Sequence, residues 1–214
     1  MVDLRDVSRW WRCIPGVSWR HQGDPASDLA GRDRYPVVHV VREDAAAFAP
    51  RADGRSPSEA EWEFAARDGR TSAAHAWGDA PHVAEHPRTR NYDETTPSHA
   101  PEPAPLGSYP ANGYELYDMS GNVWQWTADW YSSDTYARDA FLGVGRNPTG
   151  PAADHDMQAG DAAIRVVRGG SLRCSKDYCR GYCVRAPGTK ATDTGASHIG
   201  FRVVRSAARR SLGR

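Results

Sequence analysis

The chain has 214 residues, enough for one domain with a sizeable core, and nothing in its composition divides it into two. Basic and acidic side chains balance at 27 each, which removes the usual electrostatic case for a nucleic-acid partner or an anionic membrane surface. No apolar run approaches the roughly 20 residues that cross a bilayer, and four cysteines are too few for a disulfide scaffold of this length.

The start, MVDLRDVSRWW, lacks the basic, apolar and small-residue succession of a secretory signal, so the expectation is a cytoplasmic protein with reduced thiols. Eight tryptophans, 20 glycines and 15 prolines with little long helical periodicity predict an irregular, loop-rich α+β fold of short elements.

In chain order, Val37 to Val41 reads as a short buried strand, and Asp44 to Ala49 as a helix start stopped near Pro50. Ser58 opens a clearer helix. Ser58-x-x-Glu61 has the spacing at which each side chain bonds the other residue's backbone amide. Ala60 and Phe64 are expected to share its buried face, and Gly69 to end it. Residues 71–111 and 132–163 read as loop. Between them, Tyr114 to Trp130 alternates aromatic and polar residues around a tight turn at Ser120-Gly121-Asn122. Ile164 to Arg168 is predicted as a strand broken by Gly169-Gly170, and Phe201 to Val204 as the last core strand. A domain over 1–205 and a frayed tail over 206–214 follow.

The chemistry-bearing stretch is Gly169-Gly170-Ser171-Leu172-Arg173-Cys174-Ser175-Lys176-Asp177-Tyr178-Cys179. Two thiols five residues apart converge if the loop folds back. Soft thiolates in a pair suit a linear d¹⁰ ion such as copper(I), whereas zinc asks for four ligands. From the spacing alone a disulfide or two buried free thiols is the favoured reading, and a zinc site from Cys174, Cys179, Cys183 and His198 ranks below, because its spacing fits no common module. His75, His82, His86, His99 and His155 stand in polar loops and are expected to be solvent-exposed.

Four segments in order resemble the formylglycine-generating enzyme, or sulfatase-modifying factor, family: RSPSEAEWEFAARDG, NGYELYDMSGNVWQWTADWY, RVVRGGSLRCSKDYC and TDTGASHIGFRVV. The resemblance implies a compact loop-rich fold related to C-type lectin-like proteins, with the chain beginning inside the family's N-terminal part. It also implies an oxidase. Cys174 and Cys179 would hold copper(I), and a monomeric enzyme would bind a sulfatase-like protein through a Cys-x-Pro-x-Arg motif. The substrate thiol would join the metal, dioxygen would react there, and the resulting thioaldehyde would hydrolyse to formylglycine.

By the same resemblance Ser171 stands beside the copper, Trp124 lines the oxygen pocket, and Trp19 and Asp28 belong to the substrate groove. Taken alone, Ser171 reads as a turn hydroxyl and Trp124 as core packing. Asp118, Gly121, Val123 and Gln125 match a calcium site, with Gln125 at a glutamate position, and Asn91 and Tyr92 begin a second. Departures include Ser56 for leucine, Pro187 for arginine and His198 for asparagine. The competing function is a binding module of the same fold that has lost its chemistry.

Overall fold

The computed structural model describes residues 11–79, 102–143, 145–153, 163–174 and 181–206. Asn91, Tyr92, Cys179, His82, His86, His99, His155 and the 207–214 part of the expected tail lie outside them.

Helix α1 (Arg42–Phe48) runs into a 3₁₀ turn over Ala49–Ala52 that takes Pro50 near its start, where a missing amide hydrogen costs nothing. Helix α2 (Glu59–Arg67) begins as its sequence dictates: Ser58 Oγ accepts from the Glu61 amide at 3.2 Å, and Glu61 accepts from the Ser58 amide at 2.8 Å. It ends one residue before Gly69, at Asp68, which adopts a left-handed φ of 59°. Its buried stripe is Trp62 and Ala66, and Phe64 is exposed. Two i, i+4 pairs offset by two residues face opposite ways, and only the packed sheet selects between them.

The sheet contains β1 (Trp124–Trp130), β2 (Ile164–Arg168), β3 (Gly188–Ala191) and β4 (Ile199–Phe201), in the order β3-β2-β1-β4. Strands β1 and β2 are antiparallel with Trp126 opposite Val167, and their register slips before Trp130. Strand β4 joins β1 in parallel, with Trp124 opposite Ile199. Helix α3 (Thr135–Leu142) stands at the side with Phe141 and Leu142 largely exposed.

Three expectations are corrected. Val37–Val41 is not a strand: Val38 and Val40 are buried, but His39 takes a φ of 57°, which breaks the extended ladder. The stretch 132–163 contains α3, and the last core strand starts two residues earlier than Phe201. Strand β3 was invisible as a pattern because Gly-Thr-Lys-Ala carries neither alternation nor a β-branched run.

Two packed clusters flank the sheet. On one side Trp62, Ala66, Met119 and Val184 meet beneath α2. There the fully buried Arg168 guanidinium bonds Glu59 and Glu63 at 2.6 Å each, as well as the Val184 carbonyl. The other cluster joins Ala45, Trp124, Trp126, Val167, Cys174 and Ile199.

Candidate functional site

The second cluster contains the thiol region. After β2, Gly169 and Gly170 turn the chain with φ of 96° and 69°. A side chain on Gly170 would place Cβ 2.4 Å from the Tyr182 amide nitrogen, so the position demands glycine for space as well as for backbone angle. The turn lays Ser171 to Cys174 against the Ser120-Gly121-Asn122 loop, where the Leu172 amide donates to the Asn122 carbonyl at 2.9 Å. Ser171, Leu172 and Cys174 are all buried.

Within that turn the Cys174 amide donates to the Ser171 carbonyl at 2.9 Å, and the Ser171 amide approaches Cys174 Sγ at 3.4 Å. An amide aimed at sulfur favours the thiolate over the thiol. Ser171 Oγ accepts from the Arg173 amide at 3.2 Å, so its hydroxyl also shapes the turn. Cys174 is engaged in a disulfide, while Cys13 and Cys183 are not disulfide-bonded. Reduction must therefore precede any metal binding by Cys174.

Trp124 belongs to the same apolar cluster as Cys174. Its ring fills a slot that exists because two neighbours lack side chains: a Cβ on Gly181 would lie 2.0 Å from the ring, and one on Gly188 2.7 Å. Ser171, Cys174 and Trp124 are thus assembled in one buried place. Trp19 and Asp28 are more distant in role. Trp19 lies under the Arg20 guanidinium at 3.9 Å, and exposed Asp28 caps its own loop by accepting from the Ala30 amide at 2.8 Å. A thread does reach the site from Trp19: Gln22 donates to its carbonyl, and the Gln22 carbonyl contacts His39 Nε2 at 3.2 Å.

Beyond these residues, a buried histidine that the sequence offered only as a zinc alternative lies close by. His198 is buried and stacks against Trp11 with ring centroids 4.8 Å apart. Burial, helped by the neighbouring charges of Lys190, Arg173 and His39, pushes its pKa down to about 3, so the ring is neutral at physiological pH. Arg173 reaches Ser197 Oγ at 3.5 Å, and Lys190 Nζ lies 5.9 Å from the Trp11 ring. The one available clue was that Lys190 is one of only two lysines. His75, expected to be exposed, is instead stacked between Trp77 and Tyr182, at 4.5 and 5.7 Å.

For copper, the donor chemistry fits at Cys174: a soft sulfur, shielded from water and bonded by an amide. The zinc alternative gains nothing from the described residues, among which no three His, Cys, Asp or Glu side chains converge.

For calcium the match is partial. Asp118 Oδ2 accepts from the Gly107 amide at 2.9 Å, while Oδ1 is buried without a hydrogen-bond partner. Burial raises the Asp118 pKa, the usual state of a carboxylate short of positive charge. Gln125 is different. Its Oε1 already accepts from the Trp62 indole at 2.8 Å and from Arg202 Nε at 2.5 Å. Both lone pairs are used, and no oxygen remains there for a metal.

A mixed sheet with loop-borne side chains beneath it, and a buried thiol pocket at one end, defines the loop-rich α+β class expected from the sequence. A model of the sulfatase-modifying factor enzyme 1-like domain matches residues 2–207, and the chain belongs to that family. It is 38% identical over 199 residues to a formylglycine-generating enzyme of Thermomonospora curvata, covering 90% of this chain and 63% of the relative. The chain thus spans somewhat under two thirds of that relative's length. It is also 30% identical to a mouse protein named inactive C-alpha-formylglycine-generating enzyme 2, over 94–97% of the chain in mouse and cattle forms and 60–61% of theirs. Among solved structures, Treponema denticola variable protein 1 superposes with a TM-score of 0.52 at 30% identity, over 70% of this chain and 46% of that one.

Proposed function

We propose that this protein is a formylglycine-generating oxidase that converts a cysteine of a target protein to an aldehyde, using copper(I) held by Cys174 and Cys179 and dioxygen as oxidant. The supporting observation is the burial of Cys174 and Ser171 beside Trp124 in one apolar cluster, with the Ser171 amide at 3.4 Å from sulfur. A pure binding module has no need to build an amide contact onto a buried sulfur. When bound, copper supplies the one-electron chemistry by which dioxygen oxidises a thiol-bearing carbon.

The chain's own residues do the rest. The Ser171 amide holds Cys174 as the ligand-competent thiolate once the disulfide is reduced, which a cytoplasmic setting favours. Trp124 and its neighbours Ile199 and Val167 keep water from the sulfur. His198 is neutral at physiological pH and packs against Trp11. The substrate is a Cys-x-Pro-x-Arg segment of a sulfatase-like protein, with Trp19 and Asp28 at the groove's approach and the enzyme acting as a monomer.

For calcium, Asp118 would supply the charged oxygen and Gly121 and Val123 their carbonyls, whereas Gln125 keeps its oxygen for Trp62 and Arg202. A set this small leaves most of calcium's 6–8 positions to water, which implies weak binding. Asn91 and Tyr92 would begin a second site.

The test is mass spectrometry of a Cys-x-Pro-x-Arg peptide incubated with the reduced protein, copper(I) and air. The expected result is loss of the thiol mass and appearance of the aldehyde, abolished in Cys174→Ala and Cys179→Ala. A folded protein that binds copper(I) yet leaves this peptide untouched would sink the reading. The likeness to homologues named inactive favours the second reading, a binding module, in that event.

A further inference from the structure

Cys174 follows closely on Gly169-Gly170, two residues of wide backbone freedom, so contacts from outside the turn have to fix where its sulfur points. Two hydrogen bonds from Gly121-Asn122 do this. The Gly121 amide donates to the Gly169 carbonyl at 2.7 Å, and the Leu172 amide donates to the Asn122 carbonyl at 2.9 Å. They bracket Gly170-Ser171, and the Ser171 amide lies 3.4 Å from Cys174 Sγ. Loosening the bracket lets that amide drift off the sulfur.

Asn122 does more than complete a turn. Its backbone takes a left-handed φ of 62°, and the residue is only 3% exposed. Its Nδ2 donates to the Ala104 carbonyl at 3.1 Å, and its Oδ1 accepts from the Ala104 amide at 2.9 Å. Ala104 is a firm anchor. It stands between Pro103 and Pro105, and the residues after them are tied on two sides. The Leu106 amide donates to the Arg34 carbonyl at 2.6 Å, and the Gly107 amide donates to Asp118 Oδ2 at 2.9 Å. Asparagine suits these roles together, because it tolerates the left-handed backbone and its side chain both donates and accepts. Glycine would keep the backbone and lose the tie to Ala104, and aspartate would lose the donor.

Resting on the copper site of the oxidase reading above, we propose that Asn122 is a positioning residue for Cys174. Its side chain locks the Asn122 carbonyl to the Pro103-Ala104-Pro105 segment. That carbonyl holds the Leu172 amide, and with it the reach of the Ser171 amide to the sulfur. A metal held by few thiolates depends on the aim of each sulfur, because no surplus ligand corrects a misplaced one. Ala66 in α2 packs in the other cluster, with Trp62 and Val184, so it contributes to stability without setting the sulfur.

The experiment measures copper(I) affinity of the reduced full chain by competition with the chromophoric chelator bicinchoninate, with peptide conversion followed by mass spectrometry in parallel. The unsubstituted chain is compared with Asn122→Gly, Ala104→Pro and Ala66→Gly, each checked for folding by circular dichroism. Asn122→Gly keeps the left-handed backbone and drops the tie to Ala104, and is expected to weaken copper(I) binding about tenfold. Ala104→Pro removes only the amide hydrogen that Asn122 Oδ1 accepts, in a segment already flanked by prolines, and should weaken binding about threefold. It carries the test alone if Asn122→Gly does not fold. Ala66→Gly should lose stability and keep its copper(I) affinity, which separates positioning from mere destabilisation. Unchanged affinity in the folded Asn122 and Ala104 variants overturns the positioning role, and so does an equal loss in Ala66→Gly. Weakened affinity in those two variants, with no conversion by the unsubstituted chain, keeps the positioning role and rejects the oxidase reading. Unchanged affinity with full conversion does the reverse, and an unsubstituted chain that binds no copper(I) overturns both.

Discussion

The two sides of the sheet surround their buried basic residues differently. Under α2, Arg168 is fully enclosed, yet two glutamates, a carbonyl and the Trp62 ring surround it. Beside Cys174, a buried and neutral His198 lies near Lys190, Arg173 and His39. The first arrangement is complete within the chain and fixes how α2 sits on β2. The second is held by aromatic packing, with Trp11 stacked on His198. An ion-paired, buried cation marks architecture on the first side.

The sharpest way to break this contrast is Arg168→Met. It strands Glu59 and Glu63 in a partly buried site, and a loss of about 3–5 kcal/mol of unfolding free energy is expected from urea denaturation. A loss no larger than that of an average surface change would mean that the α2 side is not held by its ion pairs.

The pH profile sharpens the other side. His198 has a folded pKa near 3 against an ordinary 6.5, so folding favours its neutral form. Its contribution is therefore intact above pH 6.5 and is lost as pH falls from there toward 3. Unfolding free energies measured by urea denaturation across that window should fall by an amount on the order of a few kcal/mol at most, and His198→Asn should flatten this part of the slope. An unchanged slope in the variant would place the pH dependence elsewhere.

The smallest effect belongs to Lys190→Gln. Removing a half-buried cation from like-charged neighbours should change stability by less than about 1 kcal/mol, and in the stabilising direction. A clear destabilisation would show that Lys190 has a structural partner after all, and the contrast between the two sides would collapse.

Some of this was legible from residues alone. The Ser58–Glu61 reciprocal cap is local, so four residues specify it, and the Gly169-Gly170 break follows from backbone freedom. The grouping of Ser171, Cys174 and Trp124 came from resemblance, since nothing in their spacing brings positions 124 and 174 together. Gln125 shows the opposite case: matching its position suggested a metal ligand, while its oxygen proves committed to Trp62 and Arg202. That commitment depends on α2 and the chain after β4, far away in sequence.

The sequence by itself therefore determined the family, the caps and turns, and the presence of a thiol pair after a glycine turn. These depend on short-range chemistry or on patterns that survive as words in the chain. Only the tertiary structure decided which face of α2 is buried, that Val37–Val41 bends at His39, and that Lys190, Arg173 and His39 come close to His198. The reason is physical: burial and electrostatic coupling depend on distance in space, and the sheet order β3-β2-β1-β4 that sets those distances is not written in any local period.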